Sequence, residues 1–556
     1  MPTKTIDGAL FLSMLRGGAS ELGAKRSAIN DLNVFPIPDG DTGDNMLMTL
    51  QSGLDNASGG SLGDAASALS QGMLLGARGN SGVILSRVFA GIARGLEGLS
   101  EAGLEQLAAA MQKGVEESYK AVGTPVEGTM LTVFREGVEK ASPDAADSVD
   151  EWMDALVKEM EASLERTPEL LPVLKEAGVV DSGGAGMLCI ARGMREALAG
   201  KSAELSSGTV EKAPKRINPD DFGPDDELLY GYCTEFLLRL QTSKNGNLDA
   251  FDDGVIKQYL EGAGDSLVYF RDGSIVKVHV HTFRPGEVLS KVQQWGEFLT
   301  IKIENMTLQH SEVEIRDNFS PAAPESVPED SLLSRRERYA VVAVASGEGL
   351  CNAFREAGAD CIVEGGQTMN PSAADFIEAF KTLNAENIIV FPNNSNIILT
   401  ARQAAGMYSG AKVMVIPTRD PGEGYVAAAS LDRSCTDVSE LEKVLLETIG
   451  GVATGMVSEA VRDASQDGLE VCKGQFLGFS HKKMLAASDS RSEAALLTAR
   501  SLGAGGHEVI IVFYGSSVPE AEASEFRASL ESEYPGSEIM LTHGGQPVYE
   551  YIIVLC

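Results

Sequence analysis

The chain is poor in basic residues relative to acidic ones. Its 556 residues include 46 Lys and Arg against 80 Asp and Glu, which gives a formal charge of −34 at pH 7. Proteins bind nucleic acid largely by neutralising phosphates with Lys and Arg, and anionic lipid surfaces repel the same excess of carboxylates. We therefore expect neither nucleic acid nor an anionic membrane surface as a partner.

Cysteines and long apolar runs are also scarce. The seven cysteines are odd in number and widely spaced, so no disulfide framework is expected. Asp7 and Arg16 interrupt the apolar residues near the N-terminus, unlike a signal peptide. No stretch approaches the ~20 apolar residues of a transmembrane helix. We expect a reduced, cytoplasmic protein without a transmembrane segment.

The length and the 43% of apolar residues allow about three globular domains. In residues 1–200, apolar residues recur at helical spacing and short Gly-rich connections separate the runs, which predicts an all-helical bundle or barrel. Function in such a fold usually lies in the loops that join the helices.

The rest of the chain changes character twice. Residues 201–227 are polar and aperiodic and are read as a linker, and 228–312 are β-rich with one helical stretch, as in a small α+β domain. A second linker, 313–337, precedes apolar β-runs that alternate with helices, the rhythm of an α/β domain over 338–556 with two subdomains. There, "FPNNSNI" (391–397) stands between a strand and a helix; helix capping is the favoured interpretation, with ligand or partner contact as the alternative.

An acidic loop, "NVFPIPDGDTGDNM" (33–46), is the first candidate site. Asp39 and Asp41 can converge on one Mg²⁺ ion if the chain turns at Gly40, and the flanking prolines restrict the loop. The alternative is a solvated turn of the Asx type. A calcium loop of the EF-hand type is disfavoured because Leu50 stands where the distal Glu is needed.

Two Gly-rich segments strengthen the metal interpretation. "GARGNSGVILS" (76–86) and "GVVDSGGAGM" (178–187) each lead into an apolar helix, whose first N–H groups can bind an anion. Either segment alone is equally explained as a helix cap. Neither has the GxxxxGK[ST] pattern of a P-loop. Together, the three segments suggest a magnesium–nucleotide site of another type.

These three segments resemble the nucleotide-binding subunit of dihydroxyacetone kinases (the DhaL or DAK2 domain). The whole chain resembles the FakA family of bacterial fatty acid kinases (YloV-like proteins). The resemblance implies an eight-helix antiparallel barrel whose loops hold ATP through Mg²⁺, with Asn33 in place of an acidic ligand and Thr42 in place of a histidine. It assigns Asn33, Asp39 and Asp41 to Mg²⁺, with the two aspartates also catalytic, and Asn45, Gly79, Asn80, Ser81, Gly82, Asp181, Gly183 and Gly184 to the nucleotide.

The middle domain has a candidate zinc site. His279 and His281 alternate along a strand and therefore share a face, and Cys233 lies on another β-run, so the three offer the N and S ligands that Zn²⁺ prefers. The alternative is two surface histidines and a buried cysteine. The resemblance implies a metal held by a Cys and an HxH pair. It leaves open whether the metal is structural or whether His281 is also catalytic.

No evident general base accompanies the three loop motifs, which is compatible with an acceptor that is already ionised, such as a carboxylate. The resemblance implies a fatty acid presented by a separate FakB/DegV-like carrier protein, which docks on the C-terminal α/β (DegV-like) domain. It also implies a homodimer. The alternatives are a kinase for dihydroxyacetone or a similar small molecule, and a non-catalytic nucleotide-binding scaffold.

Overall fold

The computed structural model describes residues 2–32, 40–122, 124–200, 232–245, 251, 253–272, 274–305, 336–366, 370–466, 468–481 and 483–556. They fall into two compact units. Met1–Val210 and Ser334–Cys556 together form the first unit, and Glu211–Leu333 forms the second. Within the described ranges, no helix combines the length and the apolar character needed to cross a membrane.

The N-terminal part of the first unit is helical. Eight long helices form a closed ring in which each packs on the next and the last packs on the first. Their apolar faces share one continuous core, which includes Trp152 and Leu15. The helices are α1 (Gly8–Asn30), α2 (Thr42–Asn56), α3 (Leu62–Gly76), α4 (Gly79–Leu96), α5 (Leu104–Ala121), α6 (Met130–Lys140), α7 (Val149–Leu170), the short α8 (Pro172–Ala177) and α9 (Ser182–Leu198).

Local sequence explains where several of these helices begin and end. The side chains of Asp7, Ser61 and Ser148 accept hydrogen bonds from the first turns of α1, α3 and α7, as expected of N-cap residues. Gly178 ends α8 in the left-handed conformation (φ 65°) that favours glycine. Strands β1 (Thr5–Asp7) and β2 (Glu101–Gly103) form a short antiparallel ribbon beside the ring.

The second unit is a small α+β fold. Its elements are β3 (Tyr232–Leu240), α10 (Thr242–Asn245), α11 (Gly254–Ala263), β4 (Asp265–Asp272), β5 (Ile275–Thr282), α12 (Pro285–Val292) and β6 (Gly296–Asn305). The antiparallel sheet has the order β4-β5-β3-β6, and buried residues such as Phe236 and Val278 form its core.

The C-terminal part of the first unit contains two main sheets. Their strands are β7 (Glu337–Ala345), β8 (Cys361–Glu364), β9 (Ala385–Phe391), β10 (Lys412–Val415), β11 (Ala453–Glu459), β14 (Phe476–Ser480), β15 (Lys483–Ser488), β16 (Val509–Tyr514), β17 (Glu538–His543) and β18 (Tyr551–Leu555). The first sheet is parallel, in the order β10-β9-β7-β8, and the second is mixed, in the order β15-β14-β11-β18-β16-β17. Strands β12 (Ala464–Gln466) and β13 (Leu469–Val471) form a separate ribbon.

Helices cover both sheets of this C-terminal part, and the apolar strands are buried between the layers, as in other layered α/β folds. The predicted fold class, an all-helical barrel followed by an α+β domain and an α/β domain, is therefore confirmed. The helices are α13 (Glu348–Glu356), α14 (Ala373–Lys381), α15 (Ile398–Met407), α16 (Pro421–Ala429), α17 (Val438–Gly451), α18 (Arg491–Ser501) and α19 (Glu520–Glu533).

Candidate functional site

Three helices of the ring begin close to one another. The hydroxyl oxygens of Thr42, at the start of α2, and Ser182, at the start of α9, are 3.3 Å apart. A methyl group added to Gly79, at the start of α4, would lie 2.5 Å from Asn45 Nδ2 on α2. The three segments singled out in the sequence therefore meet at one end of the ring.

In two of these helices the N-cap residue provides no side-chain cap, although at the start of α2 the Gly43 N–H donates to Asn30 Oδ1 at 2.7 Å. Asp41 and Arg78 occupy the N-cap positions of α2 and α4, and neither side chain accepts a hydrogen bond from its own helix. Exposed first-turn N–H groups and the helix dipole favour a bound anion. The first turn of α4 also carries no acidic residue. The arrangement suits a phosphate group at the start of α4.

The acidic loop is only partly described. Asp41 is described, and its Oδ2 accepts a hydrogen bond from Asn370 Nδ2. Asn33 and Asp39 lie outside the described residues, so the paired-ligand interpretation stays a prediction. Asp44 pairs instead with α1: Arg26 Nε lies 3.3 Å from Asp44 Oδ1, and Asn30 Nδ2 donates to Asp44 Oδ2 at 2.6 Å.

Asn45 and the start of α4 pack tightly together. Asn45 is 3% exposed, and a methyl group on Gly82 would overlap Thr49 Oγ1. Gly79 has a φ of 57°, which favours glycine. Gly79 and Gly82 therefore permit the close approach of α4 to α2, and Ser81 is half-buried beside them. Asn80 Oδ1 is buried without a hydrogen-bond partner among the described residues.

Asp181 caps the third helix. Its Oδ2 accepts a hydrogen bond of 2.7 Å from the Gly184 N–H, and burial raises the pKa of its carboxyl to about 6, against the opposing effect of the Gly184 and Met130 N–H groups. A methyl group on Gly184 would lie 2.8 Å from Val133 Cγ2, and one on Gly183 3.2 Å from Met130 Cβ. The two glycines thus let α9 pack closely on α6.

The sequence did not reveal that residues of the C-terminal part reach this end of the ring. Besides Asn370, Asn396 contacts it: Asn80 Nδ2 donates to Asn396 Oδ1 at 3.3 Å. The favoured interpretation of 391–397 as a helix cap is wrong, because the N-cap of α15 is Ile397 and no side chain caps that helix. Asn396 instead contacts another part of the same chain, so the alternative of a ligand or partner contact stays a prediction.

The zinc candidates of the second unit can be placed by backbone register only. Cys233 on β3 is paired with His281 on β5, and Glu235 with His279. Residues paired in this way are cross-strand neighbours. The side chains of these residues lie outside the described part of the structure, so the zinc site stays a prediction.

A different group of polar residues lies in the C-terminal part. His481 Nδ1 is 3.7 Å from Asp420 Oδ2, and His481 Nε2 is 3.8 Å from Glu423 Oε1. Arg419 Nη2 already lies 2.6 Å from Glu423 Oε1, and Asp420 Oδ1 caps α16 through the Glu423 N–H at 2.9 Å. Burial, together with the charge of Glu423, raises the pKa of Asp420. Arg419 thus pairs with Glu423, whereas Asp420 Oδ2 is buried and has no hydrogen-bond partner among the described residues.

Family models cover most of the chain. The DAK2 domain model matches residues 36–196, the middle-domain model of the FakA-like fatty acid kinases matches 229–313, and the C-terminal model of the same FakA-like family matches 340–555. Protein YloV of Bacillus subtilis is 39% identical over 563 aligned positions that cover 100% of both chains. The chain belongs to the FakA-like family of fatty acid kinase proteins.

Further proteins similar to this FakA-like family member match either the whole chain or about a third of it. An uncharacterized protein of Staphylococcus aureus is 37% identical over 98% of each chain. Among solved structures, DegV, a fatty acid binding protein from Bacillus subtilis, is similar over 39% of this chain and 99% of its own, with 14% identity and a TM-score of 0.30. The dihydroxyacetone kinase of C. freundii in complex with AMP-PNP and Mg²⁺ matches 35% of each chain, with 19% identity and a TM-score of 0.26.

Proposed function

We propose that the chain is an ATP- and Mg²⁺-dependent kinase that phosphorylates the carboxylate of a fatty acid. The fatty acid would be presented by a separate FakB/DegV-like carrier protein, and the products would be acyl phosphate and ADP. The observation that carries the proposal is the meeting of the α2, α4 and α9 starts, which brings Asp41, Asn80 and Asp181 to one end of the ring. Membership of the FakA-like family supports the substrate class.

The residues present fit a metal-bound nucleotide. Asp41 offers carboxylate oxygens, as would Asp39, and Asn33 offers an amide oxygen, which are the ligand types that Mg²⁺ prefers. Asn80 Oδ1 is a buried acceptor without a partner among the described residues, as expected where an absent group belongs. When bound, the metal and nucleotide supply charge neutralisation and the transferable phosphoryl group.

The helix starts would position the phosphates. The uncapped N–H groups of α4 can hold phosphate oxygens, with Asn45, Ser81 and Gly82 beside them, and Asp181, Gly183 and Gly184 would flank the rest of the nucleotide. Positioning and charge stabilisation are most of what phosphoryl transfer requires from a protein.

The proposed phosphoryl transfer requires no general base from the protein. A carboxylate oxygen of the fatty acid attacks the γ-phosphorus, and the bond from that phosphorus to the β–γ bridging oxygen breaks, so ADP leaves with the electron pair. A carboxylic acid with a pKa of about 4–5 is already ionised at neutral pH, so no proton has to be removed from the acceptor.

A carrier protein, a second copy of the chain and a zinc ion complete the proposed functional assembly. We place carrier docking on residues 338–556 and propose that the chain acts as a homodimer. We also propose that Cys233, His279 and His281 hold Zn²⁺ in the second unit, which the cross-strand register of β3 and β5 supports. His281 is then either a structural ligand or, with an open position on the metal, a catalytic residue.

Replacement of Asp41 tests the kinase proposal. With purified FakB/DegV-like carrier, fatty acid, ATP and Mg²⁺, we expect Asp41→Asn to lower acyl phosphate formation by about 100-fold or more, because a charged metal ligand is lost. Acyl phosphate is trapped as the hydroxamate, and ADP is measured in parallel. Asp64→Asn is the matched control, since Asp64 is exposed and lies at the start of α3.

The outcomes separate the alternatives. Turnover with dihydroxyacetone but not with carrier-bound fatty acid would identify a small-molecule kinase. Nucleotide binding without turnover of either acceptor would identify a scaffold. Full activity of the Asp41→Asn variant would show that Asp41 is not a metal ligand of the site.

A further inference from the structure

The loop before α14 in the C-terminal part lies against the predicted nucleotide site of the ring. Arg78 and Ser372 form an isolated antiparallel β-bridge, and the Ala373 N–H donates to the Ala77 carbonyl oxygen at 3.3 Å. Arg78 Nη1 also lies 3.6 Å from Asp375 Oδ2. Main-chain and side-chain contacts thus hold residues 372–375 beside the start of α4.

Asn370 is the residue of this loop that reaches Asp41. It is 2% exposed, its Nδ2 donates to Asp41 Oδ2, and its carbonyl oxygen accepts a hydrogen bond of 2.8 Å from Arg78 Nη1. A methyl group on Gly79 would lie 3.2 Å from Asn370 Nδ2, so the amide also sits next to the start of α4.

The residues that follow Asn370 restrain its backbone. Pro371 follows directly, which favours extended backbone at Asn370. Ser372 then caps α14 in a reciprocal capping box with Asp375. On this restrained backbone the Asn370 side chain is also buried, so its hydrogen bond can orient the carboxylate.

We propose that Asn370 is a positioning residue for Asp41, through which the C-terminal part completes the metal site of the helical ring. The inference rests on the proposed function, in which Asp41 is a metal ligand. Hydrogen bonds to a ligating carboxylate fix its orientation, and their loss typically lowers metal affinity 10–100-fold. A neutral amide orients the carboxylate without cancelling the negative charge that attracts the cation, whereas Lys or Arg at this position would cancel it.

The buried oxygen atoms nearby agree with this role. Asn370 Oδ1 and Asn80 Oδ1 are both buried and have no hydrogen-bond partner among the described residues. Buried acceptors normally have a partner, which can be an ion or a water molecule. Asn370 thus brings to the predicted site an NH2 group that donates to Asp41 and an oxygen without a partner among the described residues.

Gln403 provides a matched control. It is 4% exposed on α15, its Nε2 donates to the Leu74 carbonyl oxygen at 2.6 Å, and its Oε1 accepts from Arg87 Nε at 3.1 Å. It joins the same two parts of the chain as Asn370. None of these contacts involves a residue assigned to the nucleotide or the metal. Gln403→Ala therefore weakens the contact between the parts without touching Asp41.

The test uses the full chain and Mn²⁺, which accepts the same oxygen ligands as Mg²⁺. Electron paramagnetic resonance measures free Mn²⁺ with and without a non-hydrolysable ATP analogue, and the difference gives nucleotide-dependent metal binding. We expect Asn370→Ala to weaken this binding about 10–100-fold and Gln403→Ala to change it by less than about twofold. In turnover assays, Asn370→Ala should raise the Mg²⁺ requirement and regain most of kcat at saturating Mg²⁺.

Three results would overturn the inference. Equal weakening by Asn370→Ala and Gln403→Ala, at matched thermal stability, would reduce Asn370 to an ordinary contact between the parts. Native Mn²⁺ binding by Asn370→Ala beside its loss in Asp41→Asn would reject the positioning role and leave the proposed function standing. Native Mn²⁺ binding by Asp41→Asn would show that Asp41 is not a metal ligand, and the inference would then fail together with the assignment of Asp41 in the proposed function.

Discussion

Asp181 combines helix capping with a carboxyl group that resists ionisation. Its pKa of about 6 lies above the ordinary value because of burial. The folded state therefore binds the proton more tightly than the unfolded state does. The stabilising contribution is complete below the unfolded pKa of about 4 and is lost as the pH rises through about 6. At neutral pH the charged cap reduces the stability of the chain, a cost compatible with a role at the nucleotide.

Replacement of Asp181 by Asn tests whether the ionised carboxylate lowers the stability of the chain at neutral pH. Asn retains the capping oxygen and removes the charge, so we expect Asp181→Asn to stabilise the first unit by an amount that grows by about 1 kcal/mol between pH 5 and pH 8. Urea unfolding at the two pH values measures this. Asp181→Ala should show the same pH trend but lie about 1 kcal/mol lower throughout, because the cap is lost. A pH-independent difference would contradict the raised pKa.

At the scale of elements, the ring is closed by the close approach of α1 and α9. A methyl group on Gly193 would overlap the Gly17 carbonyl oxygen, whereas one on Gly23 would meet only Leu47 Cδ2 at 3.8 Å. Both glycines lie inside helices. One glycine permits a helix–helix contact, and the other only weakens its helix.

Alanine substitutions at Gly193 and Gly23 should therefore change the free energy of unfolding in opposite directions. We expect Gly193→Ala to lower the free energy of unfolding of the first unit by about 1–3 kcal/mol, because the backbones must separate. Gly23→Ala should raise it by about 0.5–1 kcal/mol, because alanine favours the helix. Chemical denaturation of the full chain measures both. Destabilisation by Gly23→Ala equal to that by Gly193→Ala would contradict the assigned packing.

Patterns within the sequence predicted the helices of the ring, but they did not predict which elements contact one another. The helices of the ring followed from apolar spacing and from the short Gly-rich connections between the apolar runs, because these features act within a few residues. The antiparallel strands around β11 and β18 were missed, since short apolar runs do not reveal their partners. The contact of Asn370 with Asp41 joins residues 329 positions apart, and no local spacing encodes it.

At the scale of the molecule, the proposed metals belong to different compact units. The Mg²⁺ candidates lie in the first unit, and the zinc candidates Cys233, His279 and His281 lie in the second. A structural zinc ion needs about four good ligands, so the loss of one ligand should release it.

Metal analysis of purified variants tests the zinc proposal. We expect Cys233→Ser and His279→Ala each to lower the zinc content from about one ion per chain to a small fraction of that. Cys472→Ser is the control, because Cys472 is an exposed cysteine in the first unit. Unchanged zinc content in both ligand variants would reject the site.

The two parts of the first unit are separated along the chain, so a ribosome makes the helical ring before the C-terminal part. The helical ring has its own apolar core within residues 6–194, and Asn370 is translated well after Met194, the last residue of that core. At about 5–20 residues per second, the interval between the two residues corresponds to roughly 9–35 s of translation. On a ribosome, the nascent ring can therefore bury its core before Asn370, the residue proposed to orient Asp41, exists, and under that proposal full metal affinity is acquired only after the C-terminal part has been made.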